Sequence, residues 1–206
     1  MNIIFEKNSK MSRQAKLERK TGETDISVEI DLDNRAETAI STGIGFFDHM
    51  LTAFSRHGDF GLKLHCVGDL EVDAHHSMED IGLALGAALK TALGDKRGIT
   101  RFGFFYAPLD ESLARVVIDL SGRPHLSWRC DFPEPSAGGV SCRLHREFFQ
   151  ALVNTCGMTL HVDLLASEES HHGLEAIYKA FGRALRMAVS PGRQAGEIPS
   201  TKGVLE

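Results

Sequence analysis

Alternating apolar and polar residues mark the first element along the chain. "DISVEIDL" places Ile26, Val28, Ile30 and Leu32 on one face, the period of a half-buried strand. "GLKLHC" repeats the pattern with Leu62, Leu64 and Cys66. Between them, "GFFDHMLTAFSRHG" carries Phe46, Phe47, Met50, Leu51 and Phe54 at the three- and four-residue spacing of a helix face. A second helix is predicted over residues 76–93, "HSMEDIGLALGAALKTAL", because Ala, Leu and Met lose little on entering a helix. Further on, "LARVVIDL", "HLSWRC" and "GMTLHVDL" read as strands, with helices near residues 143–155 and from about His171 to Val189. Ser170 suits the N-cap of the last helix, since its hydroxyl can accept from a free amide of the first turn. The proline- and glycine-rich "DFPEPSAGGVS" reads as a loop, and the polar tail 190–206 reads on composition alone as disordered.

This order of elements occurs twice. A shift of 96 residues, with no gap, lays Gly61, His75, His76, Glu79, Ile81, Ala84 and Gly86 on Gly157, His171, His172, Glu175, Ile177, Ala180 and Gly182. Two copies of one unit predict a pseudo-symmetric pair of halves, 1–94 and 95–190, followed by the tail 191–206. Strands and helices in this order predict an α+β fold with helices packed on one face of each sheet.

Composition narrows the function. Of 206 residues, 42% are hydrophobic and 25% charged, as in ordinary globular proteins. The net charge of -5 comes without a segregated basic block, so no nucleic-acid partner is expected. No apolar run is long enough to cross a bilayer, and the N-terminus lacks a signal-like core, so the protein is expected in the cytoplasm with no membrane partner. Cys66, Cys130, Cys142 and Cys156 lie far apart with no CxxC pair, which predicts reduced packing residues.

The ten histidines exceed what packing requires, and four of them form the doublets His75–His76 and His171–His172. Neighbouring residues on a helix point about 100° apart, whereas positions three or four apart share a face. Glu79 can therefore side with His75 or with His76, and the doublet is better suited to two ions than to one. An isolated HHxxE is more often structural, but structural histidines have no reason to keep the same spacing to a glutamate twice. "HHGLE", with Glu175, does so, and metal binding is the expectation. Imidazole and carboxylate donors suit Mn, Fe, Co, Ni or Zn. His49 in "FFDHML" is a further candidate ligand, with Asp48 beside it as a possible outer support. His65, His125 and His161 read as structural.

The segments "RKTGETDISV", "TGIGFFDHML", "HHSMEDIGLALG", "ITRFG", "PLDESLA", "DLSGRP", "TLHV", "HHGLEAIYKAFGRAL" and "PSTKGVL" run in order from about residue 13 to the end. In them the chain resembles imidazoleglycerol-phosphate dehydratase, a lyase of histidine biosynthesis. The resemblance implies two similar βαβ-containing halves of the ribosomal protein S5 domain 2-like kind. It also implies a homo-oligomer of 24 subunits and two Mn2+ ions per active site at subunit interfaces. Carried over residue by residue, the metal ligands are His49, His75, His76, Glu79, His171, His172 and Glu175. For an eighth, many members place a histidine just before paired phenylalanines, where this sequence has Glu147 in "HREFF". His145 matches His49 under the repeat shift but lies about 200° away round the helix from Glu147. Glu147 is the expected ligand because its spacing to "TLH" matches the family's.

The reaction so implied removes water from imidazoleglycerol phosphate to give imidazole acetol phosphate. The departing hydrogen sits on a carbon beside no carbonyl, so the imidazole ring must supply the electronics. Held between two dications, the ring loses its N–H proton more readily, and the imidazolate can expel the hydroxyl through a diazafulvene-like species. Glu23 in "TGETD" is the expected acid/base, with His49, Glu79 and Glu175 counted as catalytic through the ions. His57 is a further candidate for substrate contact, and His49, His75, Glu79 and His171 would meet the substrate at the metals. Arg101, Arg123, Ser200 and Lys202 match phosphate-binding positions, with Lys179 and Thr201 from the same matching segments. The tail would then order over a neighbouring active site. Two other classes remain open on the residues alone: a two-metal phosphoesterase, which would release phosphate, and a metal-assembled structural protein without turnover.

Overall fold

A computed structural model describes residues 13–35, 37–192 and 196–205. The first half contains strands β1 (Gln14–Lys20), β2 (Thr24–Asp31), β3 (Thr38–Ser41) and β4 (Gly61–Gly68), with helices α1 (Gly45–Gly58) and α2 (His75–Leu93). The second contains β5 (Phe102–Leu109), β6 (Ser112–Asp119), β7 (His125–Arg129), the short pair β8 (Ser136–Ala137) and β9 (Val140–Ser141), α3 (Cys142–Cys156), β10 (Thr159–Ala166) and α4 (Ser170–Val189). The sheets are ordered β1-β2-β4-β3 and β5-β6-β10-β7, each antiparallel except for the last pair. The α+β fold of two repeated halves is therefore present, with one topology drawn twice.

The apolar pattern explains the layers. Ile26, Val28 and Ile30 point inward from β2, as Ala114, Val116 and Ile118 do from β6. In α1, Phe47, Met50, Leu51 and Phe54 form the buried stripe, and the helix stops where Asp59 takes a left-handed φ of 56°. Helix α1 packs on α4 and α2 on α3, each across the two halves, while each sheet is covered by its own helices. The helices thus stand between the sheets and fuse both halves into one apolar core. Close approach needs missing side chains at matched positions. A Cβ on Gly182 would lie 2.5 Å from the carbonyl oxygen of Phe54, and one on Gly86 would lie 2.5 Å from that of Leu152. Aromatic rings fill the α1–α4–α3 junction, with Phe54 and Phe181 stacked at 5.0 Å between centroids. Each such buried ring contributes about 1.5–3 kcal/mol.

Several local expectations need correction. The pattern missed β1, β3 and β5. Ser170 is the first residue of α4 rather than its cap, and its hydroxyl serves Glu134, accepting from the Glu134 amide at 2.9 Å and donating to Glu134 Oε2 at 2.5 Å. The loop 131–141 holds the β8–β9 hairpin. The tail is ordered over residues 196–205 and returns to its own chain, where the Gly98 amide donates to the Glu197 carbonyl at 2.8 Å. The four cysteines are free thiols. Among the described residues, no helix is long and apolar enough to cross a membrane.

Candidate metal centre

Each doublet opens a helix. His75 and His76 begin α2, and His171 and His172 form the first turn of α4, so the rings project from helix ends rather than into the core. The helical period settles which histidine each glutamate joins. Glu79 Oε2 lies 3.5 Å from His75 Nε2, and Glu175 Oε2 lies 3.4 Å from His171 Nε2. The second histidine of each doublet turns away, their ring planes crossing at 83° and 80°. Two divergent rings per helix are what two separate ions require.

The α1–α4 contact completes one cluster within a single chain. His49, projecting from α1, places Nε2 3.1 Å from Glu175 Oε2, and donor atoms of His49, His171 and Glu175 all lie within 4.8 Å of one another. These nitrogen and oxygen donors fit a divalent ion of the manganese-to-zinc series, which would need only to draw them inward. Burial pushes the Glu175 carboxyl up, but Lys179, 2.7 Å from Oε1, and His49 outweigh it and hold the group at about 2. Glu175 is therefore an anion ready to ligate. His57 stands in the same electrostatic field: partial desolvation and the Lys179 and Arg183 charges push it below its ordinary value, with Glu175 opposing.

The first-half array stays open. His75 pairs with Glu79, and among the described residues no cluster of three donors includes them. Glu147, on α3, is partly exposed and lies 3.2 Å from Arg146 Nη1. His145 is fully buried, its Nδ1 2.9 Å from the Tyr178 hydroxyl, and burial lowers it to about 3. A neutral ring sealed in the core is unavailable to an ion at the helix end, which separates it from Glu147. Asp48 does not support His49: its Oδ1 accepts from the Thr42 amide at 2.8 Å and so fastens the loop before α1.

The second histidines have carboxylate partners the sequence did not reveal. His76 Nδ1 lies 2.9 Å from Asp69 Oδ2, and His172 Nδ1 lies 2.9 Å from Glu111 Oε2. Both contacts raise the histidine above its ordinary value, and His172 holds Glu111 at about 2. Glu23, in the β1–β2 turn, is exposed with Oε1 3.8 Å from His76 Nε2, too far for a hydrogen bond. The cations Arg101, Arg123 and Lys202 gather elsewhere and, with Ser200 and Thr201, line one cavity of about 420 Å3. Arg101 is clamped to Asp119 at 2.7 and 3.1 Å and reaches the Pro199 carbonyl at 2.8 Å, tying the tail to this wall. His65, His125 and His161 lie on strands β4, β7 and β10, with the His125 and His161 rings 5.8 Å apart.

Comparison with known proteins identifies the family. A family model described as imidazoleglycerol-phosphate dehydratase matches residues 42–185. The enzyme of that name from Parasynechococcus marenigrum is 52% identical over 198 residues, covering 95% of this chain and 98% of its own. That from Cereibacter sphaeroides is 53% identical over 194 residues, covering 94% and 100%. The crystal structure of the Staphylococcus aureus dehydratase superposes with a TM-score of 0.78 at 38% identity, covering 87% of this chain and 99% of that one. The Pyrococcus furiosus structure does so with 0.80 at 36% identity, covering 92% and 100%. The chain belongs to the imidazoleglycerol-phosphate dehydratase family and is a lyase of histidine biosynthesis.

Proposed function

We propose that this enzyme dehydrates imidazoleglycerol phosphate to imidazole acetol phosphate with two Mn2+ ions per active site, and that each site is finished only between subunits. The observation that carries this is the pair of unequal arrays. His49, His171 and Glu175 converge within one chain, whereas half-buried His75 and exposed Glu79 find no third donor among the described residues. A symmetric homo-oligomer, expected to contain 24 subunits, would bring the open array of one copy to the closed array of another.

In this scheme His49, His171 and Glu175 with His76 would hold one ion, and His75, Glu79 and Glu147 with His172 the other. When bound, the dications would favour loss of the N–H proton from the substrate imidazole. This chain's residues then do the rest. The Glu23 carboxylate, exposed beside His76, takes or returns the proton at the substrate carbon and hydroxyl. Arg101, Arg123, Ser200, Thr201 and Lys202 supply charge and hydrogen-bond donors for the phosphate from their common cavity. Lys179 keeps Glu175 ionised, and His57 contributes to substrate contact. The described tail residues Ser200, Thr201 and Lys202, which line that cavity, act as part of the site.

The test is turnover. Mn2+-loaded protein should convert imidazoleglycerol phosphate to the acetol phosphate without liberating inorganic phosphate. Phosphate release would replace this scheme with ester hydrolysis. An unloaded enzyme of equal activity would remove the metals from it.

A further inference from the structure

We infer that Asp69 and Glu111 are a matched pair of positioning residues, each fixing the second histidine of one doublet so that it ligates through Nε2. The inference rests on the metal role proposed for His76 and His172. A carboxylate can only accept at these contacts, so in both the ring donates its Nδ1–H, at the same distance of 2.9 Å. In the neutral ring that leaves Nε2 as the lone-pair nitrogen, and the contact sets the plane of the ring.

The two halves reach this arrangement by different routes, which argues that it is functional rather than inherited scaffolding. Under the repeat shift the counterpart of Asp69 is Leu165, so the second half has no carboxylate at that place. The hairpins supply it. Gln14 pairs with Asp31 as Phe102 pairs with Asp119, and Lys20 with Asp25 as Pro108 with Leu113, so Glu23 and Glu111 hold the same turn position. In the second half that glutamate is committed to His172, its other oxygen accepting from the Ser112 hydroxyl at 3.0 Å. In the first half Asp69, whose amide donates to the Glu23 carbonyl at 3.1 Å, takes over the ring. Glu23 is thereby released, with 55% of its side chain exposed against 26% for Glu111. One turn position thus yields a positioning residue in one half and a residue free to meet substrate in the other.

The experiment measures Mn2+ affinity of Asp69→Asn, Glu111→Gln and the conservative Asp69→Glu and Glu111→Asp proteins, by the signal of free Mn2+ in a titration. Histidine-nitrogen NMR of the metal-free proteins at alkaline pH follows the ring tautomers. The amide variants should each weaken one class of ion about 10- to 100-fold. They should also lose the Nδ1–H form at one histidine while melting normally, and the conservative variants should recover part of the affinity. Unchanged affinity and tautomers in both amide variants would overturn the inference while leaving the metals in place. If the wild type binds no Mn2+, the metal reading falls, and with it any ligand role for Nε2.

Discussion

The two halves share strand order, register and helix placement, yet their His–Glu arrays stand in different surroundings. His171 and Glu175 meet His49 from the other half, whereas His75 and Glu79 meet no such partner, because the repeat counterpart of His49 is His145. That ring is buried against Tyr178 and leaves the neighbouring surface to Glu147. A repeated scaffold therefore fixes where helices begin, and single substitutions decide which beginnings can close a site alone. If the proposed ligand set holds two ions, one copy of the chain does not complete both sites, and assembly and chemistry become one problem.

The sharpest way to break that picture is to remove the ions. Chelation should abolish turnover and, if ligands from two subunits meet at each ion, shrink the particle. Light scattering before and after chelator reads the mass, and an unchanged mass would count against interface metals. Next in size is the contrast between the two turn glutamates. Glu23→Gln should lower kcat about 10²- to 10⁴-fold with Mn2+ affinity and assembly intact, whereas Glu111→Gln should act first on the metal. Steady-state kinetics beside a Mn2+ titration separate them, and normal turnover of the Glu23 variant would take it out of the mechanism.

What the sequence disclosed follows from the range of the interactions. α1 was legible to its bounds because Phe47, Met50, Leu51 and Phe54 repeat within a few residues. The His–Glu arrays were legible because their spacing is one helical turn. β1 was not, since Ala15 and Leu17 are the only apolar residues in a charged stretch. β5 was missed because Phe102, Phe104 and Tyr106 are exposed, so its apolar residues do not alternate inward. Nor were the ring-holding carboxylates, because Glu111 lies 61 residues from His172 and Asp69 reaches His76 across a loop. The family's motifs contained Glu111 in "PLDESLA" without disclosing its partner. Only the folded hairpins put it beside Glu23 in register.

Packing offers a smaller test of the same asymmetry. Gly103 on β5 holds the hairpin position of Ala15 on β1, each opposite an isoleucine, Ile118 and Ile30. A Cβ on Gly103 would fall 1.9 Å from the Ala184 carbonyl oxygen, because α4 presses closer to β5 than α2 does to β1. Backbone cannot yield as a side chain tip does. Gly103→Ala should therefore cost about 3 kcal/mol of stability, near the upper end for overpacking. Ala15→Gly should cost about 0.5–1 kcal/mol. Denaturant titration compares them, and equal losses would mean that the two sheets carry their helices alike.

The smallest expected effect concerns two arginines that open the hairpins. The Leu32 amide donates to the Arg13 carbonyl at 3.0 Å as the Leu120 amide does to that of Arg101 at 3.1 Å, so the two hold one position. Their side chains are spent differently. Arg13 binds Asp33 and the Val189 carbonyl, both structural ends, while Arg101 is shared between Asp119 and the cavity that receives the tail. Arg101→Ala should raise KM about tenfold, the loss of one charge-assisted hydrogen bond. Arg13→Ala should leave KM unchanged and lower stability by about 1 kcal/mol. Kinetics alongside thermal melts distinguish them. A KM equally raised in both would place the phosphate outside the Arg101 cavity, since only one of these side chains faces it, and the division of labour between the halves would fail at its most local point.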